Sequence, residues 1–331
     1  MAADIKKNDD FSKGPISKTI LRLAVPMVLA QFVNVLYNIV DRMYIGHISD
    51  TSVDALTGVG VTFPILLMVT AFANLFGSGG TPLFSMARGA AQQGGEEGKK
   101  QRERAADVMN NTFSMLVITG VILCIAVLLI KKPVLYLFGA SDATYPYADS
   151  YLSVYMLGSV FMMVSLGMNG FINAQGFANR GMLTVVIGAV VNIALDPLFI
   201  FVFDMGVQGA ALATVFAQAV SVILSLFVIM RRKLPFTFRK EQLCFDRPLT
   251  AGILRLGIPI ALQDVLVGVS FLVILAIVNS LGLLQSAGMG IAEKVCAFVM
   301  LLPSAFSQSV SAFVAQNTGA GKPERAKKAL R

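Results

Sequence analysis

Apolar and polar positions alternate along this chain in long blocks. Apolar runs lie near 18–44, 53–86, 108–130, 145–168, 182–203, 207–230, 251–280 and 287–315, separated by short polar segments. A helix needs about 20 apolar residues to cross the hydrocarbon core of a bilayer. Each run is long enough, so the pattern predicts eight membrane spans. Backbone polar groups in lipid must be satisfied within their own segment or in a closed barrel. Runs of this length are helical, and the predicted class is an all-α integral membrane bundle.

Composition agrees with that pattern. The 331 residues are 56% hydrophobic and 14% charged, with a mean hydropathy of +0.72. A soluble domain is about 25% charged. The formal charge of +8 would be compatible with a nucleic-acid partner, but the cations sit in the segments between apolar runs. Lys6, Lys7, Lys13, Lys18 and Arg22 precede or open the first span. Arg88, Lys99, Lys100, Arg102 and Arg104 follow the second, Arg180 follows the fourth, and Arg231, Arg232, Lys233, Arg239, Lys240, Arg247 and Arg255 follow the sixth. Lys322, Arg325, Lys327, Lys328 and Arg331 follow the eighth, whereas the opposite set holds only Arg42, Lys131 and Lys132. By the positive-inside rule both termini are expected to be cytoplasmic, in a multi-pass protein of a bacterial inner membrane. No nucleic-acid partner is expected. The tail 1–17 lacks the apolar core and cleavage site of a signal peptide. Cys124, Cys244 and Cys296 form no CxxC pair and His47 is the single histidine, so an enzyme with a metal or triad is not expected, and no cofactor motif appears.

The chain repeats itself. Ile20-Leu21-Arg22-Leu23-Ala24-Val25-Pro26 returns as Ile253-Leu254-Arg255-Leu256-Gly257-Ile258-Pro259, changed only at the Ala/Gly and Val/Ile positions. Both copies open a span that starts on the same side, the signature of a parallel repeat. The boundaries that follow are a tail 1–17, a first lobe 18–230 with helices 1–6, a linker 231–250, and a partial second lobe 251–331 with two helices and a basic loop. By this symmetry four helices are expected beyond the chain as given, which would make it a piece of a twelve-helix protein.

Polar residues inside the spans carry the functional signal, because a charged side chain near a span centre costs about 2.5–3.5 kcal/mol on an insertion scale. Asn192 and Asp196 stand four apart in the fifth span, with Pro197 next to the carboxylate. In the first span Gln31, Asn34, Asn38 and Asp41 share one helical face. Thr214, Gln218, Ser221 and Ser225 form a similar stripe in the sixth. Two carboxylates among amides and a hydroxyl can hold a proton or a small hard cation such as Na⁺ through oxygen ligands. Other readings stand beside this one. Asp41, followed by Arg42, fits a solvated helix end. Asp196-Pro197 fits an N-cap opening a short second helix. The asparagines and Thr214 fit interhelical packing. Gly77-Ser78-Gly79-Gly80 lacks a GKS/T ending and is expected to be a helix-packing or hinge segment. Glu293 and Lys294 are adjacent and share no face. Most of the methionines and phenylalanines are expected to face lipid or pack, a few lining a permissive cavity.

Several motifs resemble the multidrug and toxic-compound extrusion (MATE) family. They are Gly176-Phe177-Ala178-Asn179-Arg180 through Val191-Asn192-Ile193-Ala194-Leu195-Asp196-Pro197-Leu198-Phe199-Ile200-Phe201, then Gly206-Val207-Gln208-Gly209-Ala210-Ala211-Leu212-Ala213-Thr214, with Tyr37-Asn38-Ile39-Val40-Asp41 and Ala315-Gln316-Asn317-Thr318-Gly319-Ala320-Gly321. The resemblance implies two six-helix lobes around a cavity that opens alternately to each side. It also implies antiport of small organic, often cationic, compounds against H⁺ or Na⁺, with membrane lipid as the surroundings and no obligate protein partner. By position, Asp41 and Asp196, with Asn192 and Thr214, match the cation-coupling set. Gln31, Asn34, Asn38 and Gln218 are the expected cavity lining. Some members use a glutamate in the seventh helix after its proline; Asp264-Val265-Leu266-Val267-Gly268 holds none. A lipid-linked precursor flippase of the same superfamily would need cations on the cavity wall, and only Arg42 and Lys294 are candidates. A third reading is a fragment that does not transport.

Overall fold

A computed structural model describes residues 10–48, 52–230 and 246–330. Part of the expected tail (1–9) and most of the expected linker (231–245) lie outside the described residues, as does the side chain of Lys294. The described elements are helical throughout. In chain order they are α1 (Ile16–Ile45), α2 (Ser52–Ala90) and a 3₁₀ turn (Ala91–Gln93), then α3 (Gly95–Leu137), α4 (Tyr145–Leu157) and α5 (Ser159–Ala174). These are followed by α6 (Ala178–Pro197) with a π-helical turn (Leu198–Val202), α7 (Gly206–Met230), α8 (Arg247–Leu281), α9 (Leu283–Gly319) and α10 (Pro323–Ala329). Among the described residues, seven stretches are long and apolar enough to cross a membrane alone. The pair α4 and α5, bent by 55°, makes an eighth if it is one broken span.

That break was not expected from the run 145–168, which is apolar across Gly158. A Cβ at Gly158 would collide with the branched side chain of Val215 on α7. The absence of a side chain lets α7 press into the bend, and Ser159 Oγ reaches across to the carbonyl of Gly120 at 3.5 Å.

Helices α1–α7 form one bundle whose main core joins α2, α3, α4 and α5, with Phe84 and Phe171 edge to face at 5.2 Å. Between helices in lipid the hydrophobic effect is weak, so close packing of small residues takes over. The glycine segment of α2 shows this. Gly77 lies against the backbone of Gly167, Gly80 against Thr112 and Phe171, and Gly79 against the backbone of Ile253 and Gly257 on α8. The glycines pack helix on helix, and there is no phosphate loop.

The α8–α9 hairpin repeats α1–α2 and packs on α2 and α1. Pro26 and Pro259 both sit inside their helices, and Ile20 and Ile253 are both buried. The hairpin approaches α2 closely at Gly257, against the Leu75 backbone, and again at the end of the bundle that carries most of the cations. There Gly89 meets the backbone of Gln316 and Ala320, and Gly319 meets that of Met86. The segment before α1 adds a clasp at the same end. Phe11 is buried, stacked on Phe313 at 6.4 Å, and its carbonyl accepts from Asn317 (3.3 Å) and Arg325 Nε (3.1 Å). Arg325 also donates to the carbonyls of Lys13 (3.2 Å) and Gly14 (2.6 Å), and Lys322 donates to that of Ser12 (3.1 Å). At the other end Lys131 pairs with Asp149 at 2.7 Å and donates to Ser153 at 2.8 Å, tying α3 to α4.

Candidate functional site

A cavity of about 920 Å³ lies where α1, α2, α5, α6 and α7 face α8 and α9. These helices turn polar side chains into it, on α7 and α9 at helical spacing. Helix α1 gives Gln31 and Asn34; α6 gives Asn192; α7 gives Thr214, Gln218 and Ser221. Helix α8 gives Gln263 and Asp264, and α9 gives Ser304, Ser307, Gln308 and Ser311. Methionines and aliphatic side chains, among them Met27, Met182, Ile260 and Met300, fill the spaces between.

Asn192 connects this cavity to the buried acid Asp196. Its Nδ2 donates to Asp196 Oδ1 at 3.3 Å and to Thr214 Oγ1 at 3.4 Å, while the Thr214 hydroxyl donates to the Ala210 carbonyl at 3.1 Å. Asn192 is 1% exposed, Asp196 0% and Asp41 8%. Asn192 and Thr214 line the cavity; Asp41 and Asp196 lie behind it and do not. Asp41 is nonetheless close enough to act on Asp196 electrostatically. Helix α6 runs through Asp196 and Pro197 without starting anew, so the N-cap alternative does not apply. Proline removes one amide donor. Past it the ladder widens to a π turn, in which Phe203 N donates to the Leu198 carbonyl at 2.9 Å.

Three oxygens in this pocket accept no hydrogen bond from the protein: Asp41 Oδ1, Asp196 Oδ2 and Asn192 Oδ1. A buried acceptor left without a donor costs roughly 1–3 kcal/mol, and more when it is charged. A proton on a carboxylate, or a hard cation between the oxygens, removes that cost. Arg42 lies next in sequence, but it is exposed and does not line the cavity. The solvated-end reading of Asp41 does not fit either, since the residue is buried beside the stacked pair Tyr151 and Tyr155 at 5.9 Å.

The remaining expected residues divide. Gln31, Asn34 and Gln218 line the cavity. Asn38 does not; it is exposed and folds back on its own helix, donating to Asn34 O at 2.7 Å and Asn34 Oδ1 at 3.1 Å. Glu293 is exposed on α9 and also lies off the cavity. Reading the sequence alone missed Tyr37, whose hydroxyl lies within reach of the side chains of Asn34, Asn38 and Gln218. It also missed Asn74, Gln263, Asp264 and the serine stripe of α9. Helical spacing was the available signal for that stripe and for Tyr37, three residues beyond Asn34.

Comparison with known proteins places these features. The MatE family model matches residues 26–198 and 259–331. A probable multidrug resistance protein, YoeA of Bacillus subtilis, is 27% identical over 97% of this chain and 68% of its own length. The multidrug export protein MepA of Staphylococcus saprophyticus is 25% identical over 93% of this chain and 66% of its own. The chain thus spans about two thirds of the length of these relatives. A crystal structure of MATE in complex with MaD5 superposes with a TM-score of 0.87 at 25% identity, covering 98% of this chain and 71% of that one. With its helices, its motifs and most of its length matched, the chain belongs to the MatE family of membrane transporters and is not an enzyme.

Proposed function

We propose that this chain forms the ion-coupling and substrate-binding part of an antiporter that exports small organic cations in exchange for H⁺ or Na⁺. The observation that carries the reading is the orphaned oxygens of Asn192, on the wall of a large inter-helical cavity, and of Asp41 and Asp196 behind it. The names of the relatives, multidrug resistance and multidrug export proteins, give the substrate class its support.

Loading with a proton or Na⁺ neutralises the pocket and lets α1 settle against α6. Emptying leaves buried negative charge, which favours an arrangement that admits water or a cation. Coupling requires that the ion bind the two arrangements unequally. Pro26 and the Pro197 π turn are where α1 and α6 can bend with the least loss of backbone bonding. By the positive-inside rule the end with most cations is cytoplasmic. The Gly89/Gln316 and Gly319/Met86 contacts and the Phe11 clasp then form the cytoplasmic gate, which must part for substrate to enter from that side. The walls of the cavity argue for export of cations over flipping of a pyrophosphate lipid, because no Lys or Arg stands among the described lining residues.

The test is efflux of ethidium from cells or vesicles bearing the chain, with an imposed H⁺ or Na⁺ gradient. Gradient-driven efflux is expected with the wild type and not with Asp41→Asn or Asp196→Asn. Undiminished driven efflux in both variants would reject the coupling assignment.

A further inference from the structure

We infer that Asp264 is the recognition residue for the positive charge of the exported compound, and that Asn74 on the adjoining helix α2 holds it in place. This rests on the antiport reading and specifies one contact within it. Asp264 is the only Asp, Glu, Lys, Arg or His among the described residues that line the 920 Å³ cavity. Every other polar lining group is neutral: amides, hydroxyls and the Tyr37 phenol. The described lining therefore offers one carboxyl group and no basic side chain.

The placement of that charge is specific. Ile260, Gln263 and Asp264 fall on one face of α8 by their three- and four-residue spacing, and all three line the cavity. Asp264 is exposed, in contrast to the buried pair behind Asn192. One oxygen, Oδ2, accepts from Asn74 Nδ2 of α2 at 3.2 Å. No other described group hydrogen-bonds to Asp264, so Oδ1 is open to a ligand. Asn74 is itself a cavity residue and brings no charge. It fixes the direction of the carboxylate without neutralising it.

The surroundings select the shape of the cation. Met27, Met182, Met300, Leu301 and Val185 provide soft, adaptable walls, and the Tyr37 ring offers a face for cation–π contact. Such a site suits a bulky delocalised cation whose charge is weakly hydrated. It is a poor site for a small hard ion, which needs several oxygens at short range. The Asn74–Asp264 bond also joins α2 to α8, which pack directly on one another at Gly79 and Gly257.

The experiment is equilibrium binding of tetraphenylphosphonium to the purified full chain in nanodiscs, with uncharged triphenylphosphine oxide as the shape control. Asp264→Asn is expected to weaken tetraphenylphosphonium binding at least tenfold and to leave triphenylphosphine oxide binding within twofold. Asp264→Glu, which keeps the charge, is expected to stay within about threefold of wild type, and Asp204→Asn, at an exposed turn, within twofold. Binding of the cation by Asp264→Asn within twofold of wild type would overturn the proposal. So would an equal loss for the neutral probe, or no measurable binding by the wild type. Failure of the antiport reading looks different: the binding pattern persists while efflux ignores the imposed gradient.

Discussion

Asp41 and Asp196 on one side, and Asp264 on the other, are acidic groups that one bundle holds on opposite terms. The first two are buried behind the cavity wall, and each keeps an oxygen that no protein group satisfies. Asp264 stands exposed in the cavity, with a neutral amide from the adjoining helix on one oxygen. Burial makes the charge of the first pair expensive, so loading with a proton or small cation changes the energy of the fold around it. Asp264 is exposed to the cavity, where a ligand can reach it. The same functional group thus supports a switch in one place and a recognition point in the other.

Neutralising the buried pair is the strongest way to break that contrast. Asp196→Asn is expected to lower gradient-driven ethidium efflux by at least a hundredfold, about 2.7 kcal/mol in free energy. The same change is expected to raise the thermal midpoint of the purified protein, since a buried anion without a donor gives way to a neutral amide. The gain grows from acidic to alkaline pH, because only the carboxyl group of the wild type loses a proton as pH rises. Asp264→Asn is expected to leave the midpoint within a degree, as the residue is exposed. A fall in the midpoint for Asp196→Asn, measured by dye-monitored melting, would show that the carboxylate is satisfied in a way the geometry does not reveal.

A smaller effect is expected at Asn192, which is the bridge between the two environments. Asn192→Ala removes the donor to Asp196 Oδ1 and to Thr214 Oγ1, and opens the wall between cavity and acid. Driven efflux is expected to fall about tenfold, about 1.4 kcal/mol. An uncoupled leak of H⁺ or Na⁺, read with a pH- or Na⁺-sensitive dye in sealed vesicles, should rise. Unchanged leak together with unchanged efflux would mean that Asn192 only packs.

The difference between the two acidic environments also explains what the sequence disclosed. Asn192 and Asp196 were legible because polar atoms inside an apolar run carry a visible cost, and their spacing put them on one face. The spans were legible for the same reason, through length. Asp264 was hidden because the reading of the seventh span sought a glutamate further along, and one carboxylate beside Gln263 gives no stripe of its own. The two-helix form of the fourth span was hidden because the collision between Val215 and any side chain at residue 158 is a tertiary fact. The Phe11 clasp left no signal either. Its acceptors are backbone carbonyls, which every residue has, and its donors lie some three hundred positions away in the chain.

Thr214 offers the finest test of where the switch ends and the cavity begins. Its hydroxyl donates to the Ala210 carbonyl at 3.1 Å and accepts from Asn192 Nδ2 at 3.4 Å. The first bond lies within α7 and concerns the helix alone; the second belongs to the chain of contacts leading to Asp196. Thr214→Val keeps the shape and removes both. The Ala210 carbonyl is the acceptor of the next helical turn in any case, so its loss is small. Asn192 keeps Asp196 as its acceptor, and its amide has one route less to hold its orientation. The expected result is a threefold drop in driven efflux, about 0.6 kcal/mol, with tetraphenylphosphonium binding within twofold of wild type. Thr214→Ser, which keeps the hydroxyl, should restore efflux to wild type. If serine fails where the hydroxyl is intact, the methyl group matters, and Thr214 belongs to the packing between α6 and α7 and not to the ion path.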